Sequence, residues 1–176
     1  MKTAAAVACA LAIAATALSA QQGRATEAQI KAAYLYSFGK FVEWPADTLS
    51  PAAVFPICVL GRDPFGATLD DVLRNASVGG QPVAAQRLSA VNEAAGCRIV
   101  YIAASEAVRL DAVLSALAHA PVLTVSDIPN FTDRGGMIRF VEDARRVRFE
   151  INLPPAQAAG LVLRSDLLRV ATAVRK

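Results

Sequence analysis

Three short runs, Val54–Leu60, Cys97–Ala103 and Val122–Val125, are almost entirely apolar, and stretches with helical spacing of apolar residues separate them. A strand without a polar side has no face to offer water, so it must be covered on both faces. Parallel neighbours need a crossover between them, and a helix laid on the sheet supplies it. The spacing therefore predicts an α/β layered sandwich with a mainly parallel central sheet and helices on both faces. Gln81–Leu88, entered through the Gly79-Gly80 turn, is more polar and is expected near an edge.

After Val125 the period changes. Met137, Ile138, Phe140 and Val141 supply apolar side chains in one run, and Val147, Phe149 and Ile151 alternate with Arg148, Glu150 and Asn152 in the next. Alternation of period two marks strands with one face in the core and one in water. The break at Glu142-Asp143-Ala144-Arg145 predicts an antiparallel hairpin, although it lacks the Asn-Gly pair that favours a tight turn. Arg148, Glu150 and Asn152 would then form an outward row. Pro154-Pro155 ends the strand, and a terminal helix is expected from Ala156, with Ala159, Val162, Leu163, Leu167, Leu168 and Val170 as its apolar positions.

Upstream, Thr26-Glu27-Ala28-Gln29 can cap a helix carrying Ile30, Tyr34, Phe38, Phe41 and Val42, which ends at Glu43-Trp44-Pro45. Its aromatic residues read first as a face turned to the core. The alternative is a ligand-stacking pocket between this helix and the sheet, lined by Tyr34, Phe38 and Trp44. A further helix starts at Ser105-Glu106 and runs to about His119, the chain's one histidine. Near a helix carboxyl end, a charged imidazole complements the macrodipole, a simpler role than catalytic base.

The chain opens with Met1-Lys2 and an apolar run from Ala4 to Leu18 that exits at small residues. One positive charge, a short apolar stretch and a small-residue exit describe a secretory signal peptide over residues 1–20, with cleavage as late as residue 25. Residues 26–176 then form a single domain, expected in the periplasm. Only Cys58 and Cys97 remain beyond the leader, and an exported chain with two cysteines in apolar surroundings points to a disulfide between them.

Other chemistry is missing from the pattern. One histidine and no C-x-x-C spacing argue against a metal site, and no cofactor is expected. Gly61-Arg62-Asp63-Pro64-Phe65-Gly66 lacks the third glycine of a dinucleotide fingerprint and the Gly-Lys-Ser/Thr of a phosphate loop; Asp63-Pro64 reads as a helix cap. The net charge of +3 is spread along the chain, except at Arg145-Arg146-Arg148, with no interleaved aromatics, so nucleic acid is not an expected partner. A catalyst would have to use Asp63, Asp127, Asp133, Glu142 or Glu150 with arginine partners, and no motif selects among them. The balance favours a binding or regulatory module over an enzyme.

Three segments together resemble the YfiR family of exported proteins. They are Ile30–Pro45 (IKAAYLYSFGKFVEWP), Cys58–Gly66 (CVLGRDPFG), and the closing set Gly135–Phe140, Arg148–Asn152 and Ala159-Gly160-Leu161. The resemblance implies a periplasmic repressor that binds the periplasmic part of an inner-membrane diguanylate cyclase. It also implies a second partner, an outer-membrane lipoprotein that sequesters the repressor, and it admits a homodimer. By the same resemblance Glu150, with Arg148 and Asn152 beside it, is the partner-binding candidate, and Cys58 and Cys97 match the family's first cysteine pair. A second pair found in the family has no counterpart here, so redox control through that pair is not expected. A small-molecule sensor using Tyr34, Phe38 and Trp44 is the alternative function.

Overall fold

In the computed structural model, which describes residues 25–45 and 54–176, the apolar runs become the middle of one sheet. The leader expected over residues 1–20 lies outside the described residues. Strands β2 (Phe55–Leu60), β5 (Ile99–Ile102) and β6 (Leu123–Ser126) are buried at every position. Beside them lie β4 (Gln81–Leu88) and β7 (Ile138–Asp143), giving a parallel core in the order β4-β2-β5-β6-β7. The short β3 (Ser77–Val78) covers part of β4 in antiparallel register. On the far side, β8 (Arg146–Asn152) returns antiparallel to β7, and β10 (Ala173–Arg175) runs parallel to the end of β8. The sheet is α/β and mostly parallel, closed by an antiparallel hairpin.

Alternate residues of the central strands enter different layers. Ile57, Val59, Tyr101 and Val125 face a core shared with α1 (Glu27–Phe41) and α2 (Ala67–Leu73). Cys58, Leu60, Val100 and Ile102 face the opposite core, under α3 (Leu110–Leu117). The Cys58–Cys97 disulfide is formed on this second side, with Cα atoms 6.1 Å apart, and ties β2 to the segment entering β5. No helix among the described residues is long and apolar enough to cross a membrane.

Helix α1 begins as its sequence dictates. The Thr26 N–H donates to Gln29 Oε1 at 2.8 Å and the Gln29 N–H donates to Thr26 Oγ1 at 3.2 Å, a reciprocal capping box. It stops at Phe41, earlier than expected, because Val42–Glu43 forms β1 and pairs with β9 (Val162–Leu163). That pairing also splits the expected terminal helix. Helix α4 (Leu153–Ala158) is followed by a turn at Gly160, which adopts φ +74°, and the chain extends through β9 before α5 (Ser165–Val170). Apolar positions at 162 and 163 fit either a helix or a strand, and the free edge of β1 decides between them. The expected helix from Ser105 likewise opens as a 3-10 turn, Ala104–Arg109, before α3.

Candidate functional site

Doubly wound sheets of this kind take ligands at the carboxyl ends of the strands where the winding reverses. Here the chain goes from β2 out to β4 and returns past β2 to β5, so the reversal lies between β2 and β5. That crevice is closed by the protein itself. The Arg62 N–H donates to Ser105 Oγ at 2.9 Å. A Cβ on Gly61, which adopts φ +91°, would lie 2.5 Å from Ser105 Oγ and 2.6 Å from Glu106 Oε1. Nearby, Arg87 ties β4 to the loop after β2: its Nε donates to Asp63 at 2.9 Å and its terminal nitrogens grip both Asp70 oxygens at 2.8 and 2.7 Å. These hydrogen bonds hold the Asp70 carboxyl below its usual pKa.

The closing hairpin is different, because no helix among the described residues covers its outer face. Strands β7 and β8 turn through Ala144 and Arg145, both with positive φ (48° and 62°), a tight turn made without glycine. Cross-strand register sets Arg139 opposite Glu150 and Val141 opposite Arg148. Arg139 Nε lies 2.9 Å from Glu150 Oε1, with each side chain 23% exposed. Thr132, on the loop before β7, donates its hydroxyl to Glu150 at 2.5 Å. Thus Glu150 is a half-buried carboxylate held in one orientation on an otherwise open face. Arg148 is half-buried beside it and forms no ion pair among the described residues.

Asn152 departs from the outward row. It is 6% exposed, and its Nδ2 donates to the carbonyls of Thr132 at 2.9 Å and Gly136 at 3.2 Å. Alternation correctly put Asn152 on the face with Glu150, but the loop before β7 folds back over that end of the strand. Arg175 at the end of β10 clamps the same loop, bonding the Thr132 carbonyl at 3.3 Å and pairing with Asp133. Asn152→Ala should therefore remove two buried hydrogen bonds, although Arg175 still reaches the Thr132 carbonyl, and lower stability by about 1–3 kcal/mol, read as a shifted urea midpoint at unchanged slope. Thr132, Arg139 and Arg175 were not singled out from sequence. Arg139 alone carried a signal, since it alternates with Ile138 and Phe140 on the partner strand.

Tyr34, Phe38 and Trp44 are not brought together around one cavity. Phe38 is fully buried, stacked on Tyr34 with centroids 6.0 Å apart and edge-on to Phe149 at 5.1 Å. Tyr34 is half-buried and borders a groove beside β8. Trp44 instead meets Phe55 edge-on at 5.2 Å, lining a separate cleft with Gly79 and Gly80.

Between the start of α1 and the hairpin tip lies a cleft of about 370 Å³. Lys31 lies at its base, 2.7 Å from Asp127 and 2.6 Å from Glu27. Burial alone would lower the pKa of Lys31, but the bonds and charges of Asp127 and Glu27 outweigh it and hold the ammonium above its ordinary value. Burial pushes the neighbouring Tyr101 hydroxyl far up, and the Asp127 carboxylate adds to the shift. This network is internally satisfied and serves to pin α1 to the loop after β6.

A family model described as YfiR/HmsC-like matches residues 28–172 of the chain. Among solved structures, a conserved domain protein from Vibrio cholerae O1 biovar El Tor superposes with a TM-score of 0.58 at 13% identity, over 85% of this chain and 60% of that one. At that identity the likeness is one of fold, and the chain spans under two thirds of that protein's length. The ABC domain from Streptococcus pneumonia, solved in complex with L-Trp, aligns over 73% of this chain and 57% of its own length at 16% identity, with a TM-score of 0.49.

Proposed function

Because the chain belongs to the YfiR/HmsC-like family, periplasmic regulators of cyclic-di-GMP signalling, we propose that it is a non-enzymatic repressor. On this reading it binds the periplasmic part of a membrane signalling protein, a diguanylate cyclase, and a sequestering outer-membrane lipoprotein relieves the repression. The observation that carries the reading is the outer face of the closing hairpin. Arg139 and Thr132 hold Glu150 there, and among the described residues Arg148 beside it forms no ion pair and no helix shields them. A carboxylate already fixed by two neighbours loses little side-chain entropy on meeting a partner, which favours tight recognition. A regulator of this kind works through differential affinity: it shifts the cyclase only as far as it binds one state better than the other.

Glu150→Ala is expected to leave a folded protein and to weaken binding to the cyclase's periplasmic domain by about tenfold, or 1.4 kcal/mol. Isothermal titration with that purified domain reads the loss, and circular dichroism confirms the fold. Undiminished affinity in both Glu150→Ala and Arg148→Ala would remove the hairpin face from the interaction.

A further inference from the structure

Strand β8 has an open edge. Its outer neighbour β10 pairs only with Glu150, Ile151 and Asn152, and Thr172 just before it donates its N–H and its hydroxyl to the Phe149 carbonyl, each at 2.9 Å. Residues Arg146–Arg148 have no strand beyond them among the described residues. In an antiparallel ladder the backbone N–H and C=O of every second residue point the same way. Since the Phe149 carbonyl points outward to Thr172, the N–H and C=O of Val147 point outward too, with no strand to receive them. Along this edge runs a groove of about 380 Å³, whose other wall is Ile30 and Tyr34 of α1. Arg145, Arg146 and Arg148 border it, and none of them forms an ion pair or side-chain hydrogen bond among the described residues.

We propose that this groove takes an extended acidic segment of a partner protein, which adds as a strand to the open edge of β8. The Val147 N–H and C=O would supply main-chain hydrogen bonds, and alternate side chains of the added strand would rest on Ile30 and Tyr34 or reach the arginines. The preferred segment therefore alternates apolar residues with Asp or Glu. A second copy of this chain is the wrong occupant, because apposing two such edges would crowd six arginines together, and like charges at an edge deter pairing. The groove shares Arg148 with the face assigned to the cyclase but does not use Glu150, so Glu150→Ala separates the two readings.

The test uses the whole domain and a fluorescein-labelled peptide alternating Glu and Val, followed by polarisation. Saturable binding is expected, with slowed hydrogen exchange at the Val147 amide. Val147→Pro removes the outward donor at an edge position where proline is tolerated, and it should weaken binding about tenfold. The same loss is expected on the unaltered protein when the peptide's valines are N-methylated, a control that needs no protein variant. Reversing Arg145 and Arg146 to Glu should abolish binding, a Lys-Val peptide should not bind, and Glu150→Ala should leave affinity unchanged. The proposal is overturned by absence of saturable binding, or by binding that needs the arginines but ignores both Val147→Pro and N-methylation. Self-association of the domain that Val147→Pro abolishes would also overturn it, by placing a second copy in the groove.

Discussion

Replacing Cys58 and Cys97 together by alanine is expected to lower the unfolding free energy by about 4 kcal/mol, the chain-entropy cost of releasing a loop of this length. The cross-link spans a sequence separation of 39 residues, and both cysteines are buried, at 0% and 1% exposure. It joins β2 to the segment that enters β5, so in the unfolded chain it holds together two strands that must pair in parallel. Most of the effect therefore lies in the unfolded state, which becomes far more extended once the bond is gone. Urea unfolding of the double variant, and of the unaltered protein under reductant, should give the same loss. The reduced protein keeps both side chains and so isolates the cross-link from any cavity left by alanine. Matching midpoints with and without the bond would refute this. Two strands, β5 and β6, separate β2 from the closing hairpin, so partner affinity per folded molecule should be unaffected.

Phe38→Ala carries an expected cost of about 3–5 kcal/mol, the range for deleting a fully buried aromatic ring. Phe38 sits at 0% exposure where α1 meets the hairpin, against Tyr34, Phe140 and Phe149 at centroid distances of 6.0, 5.9 and 5.1 Å. These rings join the first helix to the closing hairpin, so the cavity would weaken a contact between segments about a hundred residues apart. Tyr34→Ala, at a half-buried position bordering the groove, should cost about 1–2 kcal/mol less than Phe38→Ala. Equal losses at the two positions, or a Phe38→Ala midpoint close to that of the unaltered protein, would contradict the packing described. A ligand-stacking role requires an open ring face, which Phe38 does not have.

Both results bear on how much of the molecule is legible before folding. Local periodicity determined the element types: uninterrupted apolar runs became two-sided strands, Thr26 and Gln29 became a capping box, and alternation at Val147, Phe149 and Ile151 turned those residues inward. Redox chemistry singled out Cys58 and Cys97, the two cysteines beyond the expected leader, and the structure joins them. Residue order from Ile30 to Leu161 was enough to reveal the family resemblance. The element types follow nearest-neighbour physics, and the cysteine pair follows from counting, so a linear reading reaches them.

Tertiary structure alone decided the rest. Val162 and Leu163 had the spacing of a helix, yet they pair with Val42 and Glu43, residues more than a hundred positions away. Asn152 shared the alternation of Glu150, yet a returning loop buried it and made it a clamp. The aromatic residues of the first helix and its exit, similar in type, were divided between a closed core at Phe38, a groove at Tyr34 and a distant cleft at Trp44. Even the open edge at Val147 follows only from where β10 stops pairing. Period tells a residue which side of its own element it occupies. What covers that side depends on chain brought back from far along the sequence, and no local pattern encodes it.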